Sequence, residues 1–277
     1  MSLRINTNEL SLAAQRNLEQ TERRMHSVVE RLASGSRIVK ASDDPAGLSI
    51  SDNLNAQVRS LGQAIKNAQD GISLVQVYEG GTNEINNMLM RMRELAMQSA
   101  TDTVGDQERS MIDNEVQQLK MEVDRIAKTT RYASRDLLAG DSVVLDFQVG
   151  INNQDGVDRI TFDPGNTNLT ASGIEIDGVS VLEKEGAKDA LGTVDQALTR
   201  VNDIRSRIGA IQGRLNSTQI SQGIFQENLS AARSRIRDAD MAYETSVLAK
   251  ESILRQAGVA VLMQANQTPQ LALNLLK

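Results

Sequence analysis

The chain has 277 residues, a formal net charge of −6, no cysteine, and aromatic side chains at only 2% of positions. The lack of cysteine excludes disulfides and zinc–cysteine sites, and a single histidine, His26, excludes a two-imidazole metal centre. An acidic chain without a basic cluster releases few phosphate counterions, which disfavours nucleic acid, and so few aromatic side chains disfavour a small-molecule enzyme. We therefore expect no cofactor, no metal and no catalytic residue. No apolar run approaches the roughly 18 residues of a membrane span, so we expect no membrane-spanning helix.

The first predicted helix has apolar residues seven positions apart, Ile5 and Leu12, and then Leu18, Met25 and Leu32. A breaker follows at 41–45, Ala-Ser-Asp-Asp-Pro. A serine or aspartate cap and an early proline are typical of a helix start, so a second helix is predicted from here, with Asp43 and Asp44 as capping residues rather than an acid–base pair.

Heptad seams continue through the second and third predicted helices, where apolar residues alternate steps of four and three. Two consecutive steps of three, from Ile72 to Tyr78, predict that the helical seam is locally overwound. Gly80 and Gly81, just beyond, predict a point where the helix is intrinsically less stable. The seam positions are Leu54, Val58, Leu61, Ile65, Ala68, Ile72, Val75, Tyr78, Thr82, Ile85, Leu89, Met92, Ala96 and Ser99, followed by Ile112, Val116, Leu119, Val123, Ile126 and Thr130.

The middle of the chain changes to a period of two, which is typical of strands. Residues 143–149 and 159–162 are predicted strands. Asp177-Gly178 separates two more alternating segments, 174–176 and 179–181, and a two-residue Asp-Gly link predicts a hairpin there. We assign residues 141–186 to a β-hairpin region.

From Gly186 onward the heptad period returns and predicts one helix of about 80 residues. Its last part carries Val247, Leu254 and Val261, and then Leu271, Leu273, Leu275 and Leu276.

These elements predict a mainly α fold: an elongated rod of long antiparallel heptad helices with a small β-hairpin element. A 55-residue helix is about 80 Å long, far beyond the radius of gyration of about 19 Å expected for a compact domain of this size. We predict a terminal coiled-coil domain, 1–43 with 238–277, and a rod-like helical domain, 44–237. The terminal helices have narrow apolar stripes and must pair with each other or with other copies, so the chain is expected to be part of an assembly.

Several ordered motifs together resemble bacterial flagellin along nearly the whole chain. They are 5–8, 14–18, 32–38, 41–48, 67–74, 91–99, 227–232, 234–240, 264–267 and 271–276. The resemblance implies a terminal coiled coil that lines the filament channel and a rod domain that forms the outer tube. Only about 45 residues separate Leu138 from Gly186, which implies a short form without the variable outer domains.

The resemblance implies a structural subunit, not an enzyme, that polymerises into the extracellular flagellar filament for motility. It also implies type III export without a signal peptide, and flagellar cap and junction proteins, an export chaperone and host Toll-like receptor 5 as partners. Two alternatives stay open: the hook–filament junction protein, a flagellin relative, and a cytosolic coiled-coil scaffold.

Two sets of site residues follow. The first is the polymerisation set of the terminal domain: Ile5, Leu12, Leu18, Met25, Leu32, Val247, Leu254, Val261, Leu271, Leu273, Leu275 and Leu276. The second, implied by the resemblance, is a receptor and inter-subunit patch of Arg91, Leu95, Gln98 and Glu115. A four-residue step places Arg91 and Leu95 on one helical face, and Glu115 comes from the next, antiparallel helix. Filament packing is the favoured role of both sets.

Overall fold

The computed structural model describes residues 8–140, 144–163 and 167–274, with side chains through residue 267. Within those ranges it has five α-helices and four short strands, which confirms a mainly α fold with a small β element. None of the described helices is long and apolar enough to cross a membrane. The elements are α1 Glu9–Ser34, α2 Pro45–Ser99, α3 Asp106–Thr129, β1 Arg131–Tyr132, β2 Arg135–Asp136, β3 Leu145–Gln148, β4 Arg159–Phe162, α4 Lys184–Arg237 and α5 Met241–Asn274.

Local capping explains where the first two helices begin and end. The side chain of Asn8 accepts a hydrogen bond from the Ser11 amide at the start of α1, and Gly35 closes that helix with a positive φ of 67°. At the start of α2, Asp44 accepts a hydrogen bond from the Gly47 amide, and Pro45 is the first helical residue. The predicted start signal is therefore confirmed for Asp44 and Pro45. The prediction for Asp43 is wrong, because its carboxylate accepts from the Val39 and Lys40 amides of the preceding turn and not from α2.

The described residues divide into two compact units. The first unit comprises the described residues up to Val58 and from Glu227 onward, and contains α1 and α5. The second unit, Arg59–Gln226, contains α3 and all four strands. The long helices α2 and α4 contribute to both.

The predicted heptad seams form the core of the second unit. Every α2 seam position from Val75 to Ser99 is at most 1% exposed. Val116 and Val123 of α3 are fully buried as well. Helix α4 contributes a heptad series of its own: Ala190, Val194, Ala197, Val201, Ile208 and Leu215.

The strands predicted around 143–149 and 159–162 pair with each other. β3 and β4 are antiparallel, with Leu145 opposite Phe162 and Gln148 opposite Arg159. They dock on the helices through Phe162, whose ring meets the Tyr78 ring edge-on at 5.5 Å.

The hairpin predicted at Asp177-Gly178 is wrong, because the structure has no strand on either side of it. The alternating apolar residues did indicate burial correctly, since Ile174, Ile176, Val179 and Val181 are all buried. The backbone, however, bonds to α3 side chains instead of to a second strand. Asp113 accepts from the Val181 amide at 2.8 Å, and Gln117 and Lys120 donate to the Val179 carbonyl.

The single helix of about 80 residues predicted toward the C-terminus is also wrong. The helix is interrupted at 238–240, between α4 and α5. Asp240 caps α5 by accepting hydrogen bonds from the Ala242 and Tyr243 amides, and the Ala239 amide bonds to the Gly35 carbonyl. The heptad pattern did not indicate this break, because the seam spacing continues unchanged from α4 into α5.

Gly80 and Gly81 do not interrupt α2, which is continuous from Pro45 to Ser99. Their surroundings differ sharply. A Cβ on Gly81 would lie 2.7 Å from Leu138 Cδ1 and 2.8 Å from Thr130 Oγ1, whereas a Cβ on Gly80 would meet no atom within 4 Å. Gly81 is therefore required for close packing, and Gly80 is not.

We expect Gly80→Ala to raise the free energy of unfolding by up to about 1 kcal/mol, because alanine has the higher helix propensity. Gly81→Ala should lower it by about 1 kcal/mol, because overpacking against the fully buried Leu138 outweighs the same gain. Urea unfolding of the two variants beside the parent measures both. Equal stabilisation by the two substitutions would contradict the packing role of Gly81.

Burial raises the pKa of Tyr78 to about 12. Its ordinary value is about 10, so the neutral ring's contribution to stability is complete below about pH 10 and is lost as pH rises toward 12. This contribution to the free energy of unfolding is at most about 2.7 kcal/mol, from two pKa units at 1.36 kcal/mol each. Tyr78→Phe removes this titration, so its unfolding free energy should fall less than that of the parent between pH 9 and 12. Parallel pH profiles for the two proteins would contradict the assignment.

Candidate assembly surfaces

The terminal helices α1 and α5 pack antiparallel within the first unit. At one end the Asn8 side-chain amide donates to the Ala265 carbonyl at 2.8 Å, and Ser11 Oγ donates to Asn266 Oδ1 at 2.8 Å. At the other end the Ala239 amide, just before α5, donates at 3.0 Å to the carbonyl of Gly35, which closes α1. These contacts tie the two ends of the pair, and the predicted pairing of the chain termini is confirmed for the described residues.

The seam between α1 and α5 is built of small and polar residues. From α1 the buried positions are Ser11, Ala14, Thr21 and Val28. From α5 they are Glu244, Glu251 and Ala265, which share one heptad series with Gly258. A Cβ on Gly258 would lie 3.4 Å from Leu18 Cδ1, so glycine lets the helices approach closely there.

Two glutamates are buried in this seam, and each faces an arginine. Glu244 Oε1 lies 3.4 Å from Arg31 Nη1, and Glu251 Oε2 lies 3.7 Å from Arg24 Nε. The glutamate side chains are 5% and 6% exposed, while the arginines reach in from the edge of α1. A buried carboxylate is costly unless a cation compensates it, so these pairs are tightly constrained.

Many large apolar side chains of the same two helices face outward. Ten of them, among the described side chains, are between 42% and 66% exposed. We call them the outer apolar set: Leu10, Leu12, Val29, Met241, Tyr243, Ile253, Leu254, Val259, Val261 and Met263. An isolated two-helix coiled coil buries its large apolar side chains in the seam, so this many on the exterior is unusual.

The predicted polymerisation residues fall into three groups. Leu18, Met25, Leu32 and Val247 are half-buried, while Leu12, Leu254 and Val261 belong to the outer apolar set. Ile5, Leu275 and Leu276 lie outside the described residues, and only the helical backbone is described for Leu271 and Leu273.

The seam residues of α5 were missed by the sequence reasoning. Glu244, Glu251, Gly258 and Ala265 are each seven residues apart, but a search for apolar repeats passes over two glutamates and a glycine. One signal could have found them. Glu244 and Glu251 are seven residues apart, and so are Arg24 and Arg31, as expected for two charge pairs between facing helices.

In the second unit the structure brings together part of the Arg91 patch. Arg91 Nε donates to Glu115 Oε1 at 2.9 Å and Nη1 to Glu94 Oε2 at 3.1 Å, and these bonds raise the pKa of Arg91. Arg91, Gln98 and Glu115 are exposed. Leu95 is not on this surface: it is 2% exposed, because the α2 seam turns it into the core beside Met92 and Ala96.

A second exposed charge pair lies on the opposite flank of the buried Met92, where α2 meets α4. Arg93 Nε lies 2.6 Å from Asp195 Oδ1 and lowers the pKa of that carboxyl. Both pairs around Arg91 and Arg93 are about half exposed, so each contributes little to stability and leaves its charges available to a partner.

Comparison with known proteins identifies the family of this architecture. The family model for the bacterial flagellin N-terminal helical region matches residues 5–142, and the model for the C-terminal helical region matches residues 191–276. A flagellin of Halalkalibacterium halodurans is 40% identical over 273 residues, covering 99% of each chain. The flagellar filament 33 kDa core protein of Treponema phagedenis is 38% identical, again over 99% of each chain.

Solved structures show the same fold. The crystal structure of Bacillus cereus flagellin matches with a TM-score of 0.50 at 24% identity, covering 57% of this chain and 88% of that one. A flagellar hook-associated protein of Vibrio parahaemolyticus matches with a TM-score of 0.59 at 17% identity, covering 71% and 100%. With two family models matched in chain order and relatives that align over nearly the full length, this chain belongs to the bacterial flagellin family.

Proposed function

We propose that this chain is the structural subunit of a bacterial flagellar filament and that the outer apolar set makes the contacts between subunits. One observation carries the proposal: the terminal helices leave ten large apolar side chains between 42% and 66% exposed. Exposed apolar groups on this scale mark an interaction surface.

Energetics favour covering these side chains with further copies. Full burial of a leucine, valine or isoleucine side chain contributes about 1.5–3 kcal/mol relative to full exposure. Each copy carries the same set, and a contact that joins different faces of successive copies extends into a helical polymer rather than closing.

The relatives favour the filament over the hook–filament junction. Proteins named flagellin or flagellar filament core protein align over 99% of both chains at 38–40% identity. The hook-associated structure, at 17% identity, supports a shared fold alone. A cytosolic coiled-coil scaffold does not account for the family match.

The family's biology supplies the remaining elements of the proposal. The family is one of structural proteins, and we assign this chain no catalytic role. The subunit would leave the cell through the flagellar type III export apparatus with the help of a chaperone. It would then be placed in the extracellular filament between the junction and cap proteins.

Replacing Leu254 and Val261 with glutamine tests the assembly surface. Both side chains are exposed in the single chain, at 42% and 56%, so Leu254→Gln/Val261→Gln should leave helicity and unfolding of the soluble chain nearly unchanged. The critical concentration for polymerisation should rise by at least about tenfold, because apolar burial between subunits is lost. Light scattering and electron microscopy measure this, with long tubes expected for the parent.

Val157→Gln is the matched control, since Val157 is 73% exposed but lies in the loop between β3 and β4. This variant should polymerise as the parent does. A double variant that forms tubes at the parental concentration would rule out the outer apolar set as the assembly surface.

The Arg91 patch is proposed as a second surface, shared by inter-subunit packing and Toll-like receptor 5. Its support is the exposed charge cluster of Arg91, Glu94 and Glu115, which offers charge-assisted hydrogen bonds to a partner. Leu95 would support this surface indirectly, because its packing in the core holds α2 in position.

Arg91→Ala should weaken both receptor signalling and polymerisation, because it removes a charge-assisted anchor from the shared surface. Arg125→Ala is the control: Arg125 is also exposed, and pairs with Glu122 on its own helix. Reporter-cell activation by the soluble chain and polymerisation by light scattering are the two readouts. A variant that loses signalling yet assembles normally would show that the two surfaces are separate.

A further inference from the structure

Helix α5 does not turn its most apolar face toward α1. The inward series contains Glu244 and Glu251, which are 4% and 5% exposed, while the nearby Leu254 and Val261 are 42% and 56% exposed. Burial is costly for a carboxylate and favourable for leucine and valine, so these four positions taken alone would favour the opposite arrangement.

The alternative arrangement is geometrically close. Leu254 follows Glu251 by three residues, and Val261 follows Gly258 by three, which at 3.6 residues per turn is an offset of about 60° around the helix. A rotation of that size would move both apolar side chains toward α1 and both glutamates toward water, while the half-buried Leu248 and Leu262 would turn outward. Some interaction must therefore favour the observed face.

The arginines of α1 supply that interaction. Arg31 and Arg24 approach Glu244 and Glu251 at 3.4 Å and 3.7 Å. Glu251 Oε2 has no hydrogen bond among the described residues, so its charge contact with Arg24 is its main compensation. A buried carboxylate that loses its cation is strongly destabilised, so the inward glutamates are tolerated only opposite these arginines.

We propose that the Arg24–Glu251 and Arg31–Glu244 pairs select which face of α5 packs on α1. They thereby keep Leu254 and Val261 on the outside, available to neighbouring subunits. The second statement rests on the proposed function; the selection of the face does not.

The same two pairs also determine the register. The heptad is the smallest slip that keeps the helix faces in place. Sliding one way would leave Glu251 opposite Asn17, and sliding the other way would carry Glu244 beyond Gly35, where α1 ends. The first slip leaves Glu251 buried without an arginine, and the second leaves Glu244 without a helix to pack on. A buried polar group of this kind is a known device for specifying register.

Because the chain has no cysteine, thiol cross-links can report the face of α5 directly. Leu18→Cys/Gly258→Cys reports the observed face, since these positions touch. Leu18→Cys/Val261→Cys reports the rotated face. The ratio of the two yields, with a short bismaleimide on polymerised full-length protein, measures the balance between faces.

In the parent background the 258 cross-link should dominate. Glu244→Gln/Glu251→Gln should shift the ratio toward the 261 cross-link by roughly two- to a hundredfold, the range set by coupling between contacting residues. Glu19→Gln is the matched control, because Glu19 pairs with Arg23 on the exposed side of α1. It should leave the ratio unchanged.

Exchange of the charges covers the case in which the glutamine variant fails to assemble. Arg24→Glu/Glu251→Arg together with Arg31→Glu/Glu244→Arg should restore polymer and the 258 cross-link. Polymer with an unchanged ratio in the glutamine variant, or failure of the exchanged chain to recover, would overturn the inference. Absence of polymer from the parent chain would instead overturn the proposed function.

Discussion

A long helix can bury only the stripe that meets a neighbouring helix, and every other apolar side chain stays in water until another chain covers it. In the second unit this constraint is satisfied within the chain, because α2, α3, α4 and β3–β4 together cover the seam from Val75 to Ser99. In the first unit α1 and α5 have mainly each other. The outer apolar set remains exposed as a direct result, and assembly is the means of covering it.

The polarity of the terminal seam is as informative as its exterior. Gly258 and Ala265 allow close approach, and the buried Glu244 and Glu251 hold the pair to one face through Arg31 and Arg24. Such a seam contributes little apolar burial, so the pair draws much of its stability from what surrounds it. Stability of this unit and assembly of the polymer are therefore linked.

The sequence predicted the parts of the structure that depend on local period and local caps. The α2 seam, the start of α2 at Pro45 and the strands that became β3 and β4 were confirmed. Two failures have different causes. Around Val179 and Val181, side chains of α3 satisfy the backbone in place of a second strand. At α5, the local cap made by Asp240 interrupts the helix although the heptad spacing continues unbroken. Leu95 was misplaced because a four-residue step does not say which side of a helix is covered.

The structure of the assembled filament by electron cryo-microscopy tests the central claim most directly. We expect Leu12, Leu254 and Val261 to lie against side chains of neighbouring subunits. We expect Glu244 and Glu251 to remain inside the α1–α5 pair, opposite Arg31 and Arg24. A filament in which those three apolar side chains face solvent, or pack into the subunit's own seam in place of the glutamates, would contradict the central claim.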